Sequence, residues 1–269
     1  RRFLDGLTQI TIDGLPIRVA DVHYKYTRPG FRSLWLPVNL RGVMQIQQGT
    51  LVSLVGKRRH GKTTLLKIIG GELLLQDDEI AGPRAQVFIP PHVRVIHVDQ
   101  PLFFDGTLYD NLTYGLSHHR PPGSDGSHAR GDMRRAIQIC EMLGLSEDVL
   151  RYVQSGESQS WKAVLSSTDR YILNLARALV ADPQVLCLHK PTVLFDDVSS
   201  RRILELLRRF VEERGLAQAQ PPHERRPRTC IFTSAKLVGV EMSDQVFHVS
   251  TERGIQCVAK DQVTAEMLM

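Results

Sequence analysis

Eight residues at positions 56–63, GKRRHGKT, constrain this chain more than any other stretch. They match the pattern G-x-x-x-x-G-K-[ST] and lie between an apolar pentad, LVSLV, and a helical pattern, TLLKII. The spacing has a physical reason. Backbone N–H groups of such a loop turn inward onto phosphate oxygens, and the helix that follows presents its positive end to the same charge. Gly56 and Gly61 allow the turn, Lys62 reaches the terminal phosphates, Thr63 offers its hydroxyl to a bound Mg²⁺, and Thr64 continues into the helix. A strand entering and a helix leaving is the context that separates a phosphate loop from a Gly-rich turn. Its interior is Lys57, Arg58, Arg59 and His60, where small residues usually let the backbone curl, and a non-Gly residue at positive φ carries a cost. Two readings stay open: the bulky cations distort the loop, or they draw a triphosphate in.

LVSLV is too short for a helix and is bounded by Gly49 and Gly56, so it reads as a buried strand. Similar apolar runs fall at residues 93–98, 185–188, 230–233 and 246–249, with amphipathic patterns between them. In residues 202–213, Ile203, Leu206, Leu207 and Phe210 share one helical face. Residues 133–145 and 169–180 also read as helices. Strands alternating with helices imply a mainly parallel α/β sheet. The opening differs, since IRVADVHYKY at residues 17–26 alternates like a half-buried antiparallel strand before a Pro-Gly turn in residues 27–33. Residues 117–131 and 217–228, rich in Pro, Gly, Ser and charge, read as exposed loops with solvated histidines.

At 269 residues the chain can bury a substantial core, and no apolar run approaches the roughly 18 residues of a membrane span. A net charge of +5 permits an anionic ligand. Aromatics are few and not interleaved with the basic residues, which argues against a stacking platform for nucleic acid. Cys140, Cys187, Cys230 and Cys257 are widely spaced without a CxxC pair and read as buried, reduced thiols. The chain begins with Arg1 and Arg2 and shows no charged-then-apolar leader, so it reads as a piece of a longer polypeptide without a signal peptide.

Two longer stretches, VDQPLFFDGTLYDNLTYG and LSSTDRYILNLARALVADPQVLCLHKPTVLFD, follow the loop. Their order resembles the nucleotide-binding domain of an ABC transporter, most like the exporter type, over nearly the whole chain. The resemblance implies a P-loop NTPase fold: a RecA-like core with an N-terminal antiparallel β-subdomain over about residues 1–100 and 181–269, and an inserted α-helical subdomain over about 101–180. It implies ATP and Mg²⁺ as ligands, pairing with a second such domain, a transmembrane domain in the same or another chain, and a place on the cytoplasmic face of a membrane. Tyr26 resembles the aromatic residue that stacks on adenine. Gln100 resembles the glutamine that senses Mg²⁺ and attacking water.

The chain departs from the family at several positions. In the signature, Leu165 and Ser166 are kept, but the two glycines become Ser167 and Thr168 and the glutamine becomes Asp169. Side chains there obstruct close approach to a partner's γ-phosphate. A carboxylate facing phosphate at about 4 Å and an effective dielectric near 20 costs roughly 4 kcal/mol. His189 stands where the family has the aspartate that holds Mg²⁺, and Lys190 where it has the catalytic glutamate. Ala235 replaces the switch histidine. The loop after the strand keeps Asp196, with Phe195 read as packing. A protonated lysine is no base. Three functions remain open: an ATP-binding half that pairs without turnover, a structural or regulatory module without nucleotide, and an ATPase whose catalytic groups come from its partner or from Asp197 or Glu157.

Overall fold

The computed structural model describes residues 12–26, 36–75, 86–116 and 127–268. The expected turn at 27–33 and residues 117–126 of the first expected loop lie outside them.

Strand β1 (Ile17–Tyr26) pairs antiparallel with β2 (Leu36–Ile46) across a bulge at Ala20/Val22. Asp21 takes φ 47 there, and its carboxylate accepts the Gly42 N–H at 2.9 Å. The pentad LVSLV is β3 (Leu51–Val55), buried at every position, and it leads through the glycine-flanked loop into α1 (Lys62–Ile69). A short β4 (Gln86–Phe88) joins the other edge of β1, and β5 (Val95–Val98) follows. Next comes a largely helical stretch. It comprises β6 (Gly106–Thr107), α2 (Leu108–Thr113), α3 (Ser127–Leu143), α4 (Glu147–Ser155), β7 (Ser158–Gln159), α5 (Trp161–Val164) and α6 (Ser167–Ala181). The chain then returns through β8 (Val185–Leu188), α7 (Asp197–Glu212), β9 (Thr229–Thr233), α8 (Leu237–Glu241), β10 (Gln245–Ser250) and β11 (Gly254–Cys257).

The main sheet has the order β11-β10-β3-β9-β8-β5, parallel except for β11. Alternate residues of its strands serve two cores, as the two-residue period of a strand requires. Leu186, Leu188, Cys230 and Phe232 pack with Phe210, Leu207, Leu173 and Trp161 from the helical side. Val185, Cys187, Ile231, Val52 and Leu54 face the opposite way, toward Leu65, Leu66 and the β1–β2 pair. Near-continuous apolar runs are what a sheet covered on both faces needs.

Two expectations are corrected. Helix α3 begins at Ser127, inside the stretch read as loop, because Arg, Met and Ala formers follow the Gly-Ser punctuation and carry the helix back to it. Three cysteines are buried and unpaired, but Cys257 is exposed, since it sits at the end of the edge strand β11. No helix among the described residues is long and apolar enough to cross a membrane.

Candidate functional site

β3, β9 and β8 are neighbours in the parallel sheet, so their C-terminal ends open side by side, the place where open α/β sheets bind ligands. The loop after β3 is held by close backbone packing. A Cβ on Gly56 (φ 146) would lie 2.2 Å from the Val249 carbonyl oxygen, and the Gly56 N–H donates to the Met267 carbonyl at 2.6 Å. A Cβ on Gly61 (φ 91) would meet Val38 Cγ1 at 2.8 Å. Between them the turn depends on Arg59 at φ 66, the non-glycine in a left-handed conformation that the motif's composition foreshadows. Lys57, Arg58 and Arg59 have exposed side chains and His60 is half-buried, so the bulky cations ring the turn. The Lys62 ammonium is buried and donates to the carbonyls of Gly56 and Lys57, the latter at 2.7 Å. Burial, and then the charge of Lys190, push its pKa down to about 8.

At the end of β8, His189 Nδ1 lies 3.3 Å from Thr63 Oγ1 and 3.3 Å from Thr233 Oγ1, joining β8 to the phosphate loop and to β9. Burial, followed by the charge of Lys190, lowers the His189 pKa and favours the neutral ring. Lys190 takes φ 48 and donates its backbone N–H to Thr233 Oγ1 at 2.8 Å. The Tyr171 hydroxyl donates to the carbonyls of His189 and Lys190, at 3.2 and 3.0 Å. Burial and the nearby Asp99 raise that phenol to about 12, so it stays a donor. Tyr171 and Thr233 were not foreseen as site residues. The available signal was Tyr171 and Asn174, polar residues three apart among the apolar positions of α6; the Asn174 amide donates to the Asp99 carbonyl at 3.0 Å.

The other foreseen residues fall as follows. The Tyr26 hydroxyl is 2.9 Å from Thr64 Oγ1, and its ring stands edge-on to Tyr24, so β1 is tied to the start of α1. Gln100 is exposed, next to Asp99, whose carboxylate pairs with Lys67 at 3.0 Å. Ala235 is exposed beyond β9, and its neighbour Lys236 reaches Asp197 Oδ1 at 2.8 Å, Ser200 Oγ at 3.1 Å and the Phe195 carbonyl at 3.3 Å. Asp196 caps α7 by accepting the Ser199 N–H at 2.7 Å, and Phe195 packs edge-on to Tyr171. Glu157 takes the Gln159 amide at 2.8 Å beside the β6–β7 ribbon.

In the signature stretch Leu165 is buried, and Ser167 and Thr168 are exposed in the first turn of α6. Ser166 caps that helix. Its Oγ accepts the Asp169 N–H at 3.0 Å and donates to Asp169 Oδ2 at 2.5 Å, so the carboxylate curls back onto the helix's positive end.

Mg²⁺ demands oxygen ligands in near-octahedral array and is usually held by one or two carboxylates with waters and phosphates. The His189 ring stands at the Thr63 hydroxyl, the Lys190 charge acts on both His189 and Lys62, and Asp99 is paired with Lys67. No cluster of three or more His, Cys, Asp or Glu residues suited to a metal occurs among the described residues. These residues do not fit Mg²⁺. A separate cleft of about 470 Å³ is lined by Glu141, Arg209, Glu213 and Arg225, but Arg209 pairs with Glu213 and Arg225 donates to the carbonyls of Glu213 and Gly215.

A family model described as ABC transporter matches residues 41–193. The sulfate/thiosulfate import ATP-binding protein CysA of Brucella melitensis is 28% identical over 256 residues, covering 93% of this chain and 62% of that protein. The aliphatic sulfonates import ATP-binding protein SsuB 1 of Rhizobium johnstonii is 31% identical over 194 residues, 69% of this chain and 62% of that protein. The chain thus spans about three fifths of the length of the curated relatives it matches. Among solved structures, a dimeric ATP-binding cassette in a post-hydrolysis state with ADP and phosphate aligns with a TM-score of 0.67 at 18% identity, over 91% of this chain and 98% of that one. The fold is therefore that of an ABC ATPase cassette. Both relatives carry import names, which gives the expectation of an exporter-type domain no support.

Proposed function

This chain belongs to the ABC transporter family, and from that membership we propose that it is a nucleotide-binding domain that holds ATP at residues 56–64, pairs with a second such domain, and does not hydrolyse the nucleotide it holds. The observation that carries this reading is the His189–Lys190 pair at the end of β8, beside Thr63. Hydrolysis needs a group that orients or deprotonates water and a metal that spreads the developing charge. Lys190 is a cation, His189 is a poor partner for Mg²⁺, and Ala235 has no polar side chain, so each part of that machinery is altered. Single losses of this kind typically cost orders of magnitude in rate.

Binding rests on other parts, and those are kept. The loop with its two glycines leads into α1 with Lys62 at its start, and the Tyr26 hydroxyl lies 2.9 Å from Thr64 Oγ1, which supports phosphate and adenine binding at this end of the sheet. The self-capped start of α6 speaks against close contact with a partner's γ-phosphate, since Asp169 already occupies the positive helix end. In this reading the domain works with a transmembrane domain, on the cytoplasmic face of a membrane, to drive or regulate transport. Calorimetric titration with ATP tests the reading together with an assay of phosphate release. The expected result is binding that disappears in Lys62→Ala, with no release above buffer. Release that is lost in Lys62→Ala would overturn the reading in favour of an active ATPase.

A second reading, a module that no longer takes nucleotide, is favoured by one observation. The Lys62 ammonium is satisfied by the loop's own Gly56 and Lys57 carbonyls. Absence of any ATP-induced thermal shift, with pairing retained, would establish it.

A further inference from the structure

We propose that the 56–64 site takes its nucleotide as the metal-free triphosphate anion, and that Lys190, with His189, sets this preference. The inference rests on the ATP-binding reading above and deepens it.

Lys190 is not a loose surface lysine. Its backbone is held in the left-handed region at φ 48, with its N–H on Thr233 Oγ1 at 2.8 Å and its carbonyl on the Tyr171 hydroxyl at 3.0 Å. A side chain in such a conformation persists only where its surroundings over-determine it, and here two residues from β9 and α6 do so. The strand end therefore fixes the Lys190 backbone next to His189, and the Lys190 charge acts on both Lys62 and His189. His189 engages the Thr63 hydroxyl at 3.3 Å, the one oxygen of the loop motif that would serve a divalent cation.

Of the carboxylates near these strand ends, Asp99 acts on His189 but is paired with Lys67 at 3.0 Å, and Asp197 is paired with Lys236 at 2.8 Å. Lys57, Arg58 and Arg59 add exposed cations at the rim. A site of this sign repels Mg²⁺ and attracts a bare polyphosphate. The phosphate chain itself relieves the repulsion between Lys62 and Lys190, as a metal ion would relieve that between phosphate and carboxylates were carboxylates to face the loop.

Titration of the chain with ATP in EDTA and in excess Mg²⁺, followed by calorimetry, tests this directly. Binding in EDTA at least as tight as in Mg²⁺ is the expected result. Binding that requires Mg²⁺ would overturn the inference and leave the ATP-binding reading standing; no binding in either buffer would overturn both. In a His189→Asp, Lys190→Glu double variant, checked for folding by thermal unfolding, Mg²⁺ is expected to strengthen binding, and an unchanged metal response counts against the inference. The milder Lys190→Met is expected to weaken ATP binding in EDTA about tenfold, the worth of one charge-assisted hydrogen bond, and to weaken ADP less. Equal weakening of ATP and ADP would show that Lys190 does not meet the terminal phosphate.

Discussion

Arg59 sits in the left-handed region at φ 66, where a Cβ crowds the following carbonyl oxygen. Arg59→Ile, which adds a branch at that Cβ, is expected to lower stability by about 1 kcal/mol in urea unfolding, whereas Arg59→Gly is expected not to. Lys62 has a second signature at this scale. Burial and then Lys190 bring its pKa from 10.5 to about 8, so between those values the unfolded chain keeps a proton that the folded chain has released. Stability therefore rises with pH across that window. The rise between pH 8 and pH 10 is on the order of 2 kcal/mol and should be missing from Lys62→Met, as measured by urea unfolding of both proteins at those two values. The residue types involved were legible in the motif. The burial of one lysine beside another was not, because Lys62 and Lys190 meet only when two separate strand ends converge.

At the scale of elements, α6 turns a local sequence signal into a helix cap. The spacing of Ser166 and Asp169 is that of a helix N-terminus with reciprocal capping, and the structure has that cap. From the sequence, Asp169 threatened a partner's phosphate with its charge. In the structure it turns back and stabilises its own helix. Ser166→Ala is expected to cost about 1 kcal/mol in thermal or urea unfolding, the usual worth of a lost N-cap. The Lys67–Glu72–Asp99 cluster links α1 to the end of β5. Burial raises the pKa of both carboxylates, but hydrogen bonds from His97 and Lys67 to Glu72, and from Lys67 to Asp99, outweigh it, so both titrate below their ordinary values. Their contribution is present above the unfolded carboxylate range and is lost as pH falls through the depressed values. Lys67→Met is expected to flatten acid unfolding below pH about 4 and to cost no more than about 1 kcal/mol at pH 7, since all three groups are partly exposed.

Over the whole molecule, the helical stretch between β5 and β8 is fastened to the sheet by polar groups as well as by its core. Asp182, in a left-handed conformation at the end of α6, takes both Nε and Nη2 of Arg228, at 3.1 and 2.7 Å, just before β9. Both side chains are largely buried, and breaking such a pair by removing one partner strands the other charge. Arg228→Met is expected to cost about 3 kcal/mol in equilibrium unfolding, a larger effect than either surface change above. Lys236 plays a comparable part at the other end of β9, tying the segment after that strand to the start of α7 through Asp197 and Ser200.

Local pattern alone was enough for the elements that local physics decides. The phosphate loop follows from its glycines and flanks, the buried strands from short apolar runs, and α7 from the face of Ile203, Leu206, Leu207 and Phe210; each depends on residues a few positions apart. His189, Lys190 and Ala235 were legible as departures from the resembled motifs for the same reason, since motif order aligns those positions. What required the tertiary structure was every contact between distant parts of the chain. Tyr171 clamps two carbonyls eighteen and nineteen residues away, Thr233 receives the Lys190 N–H from a neighbouring strand, and Arg228 closes on Asp182 across 46 residues. A sequence records which side chains are available to bond. Only the packing of strands and helices brings particular donors within reach of particular acceptors.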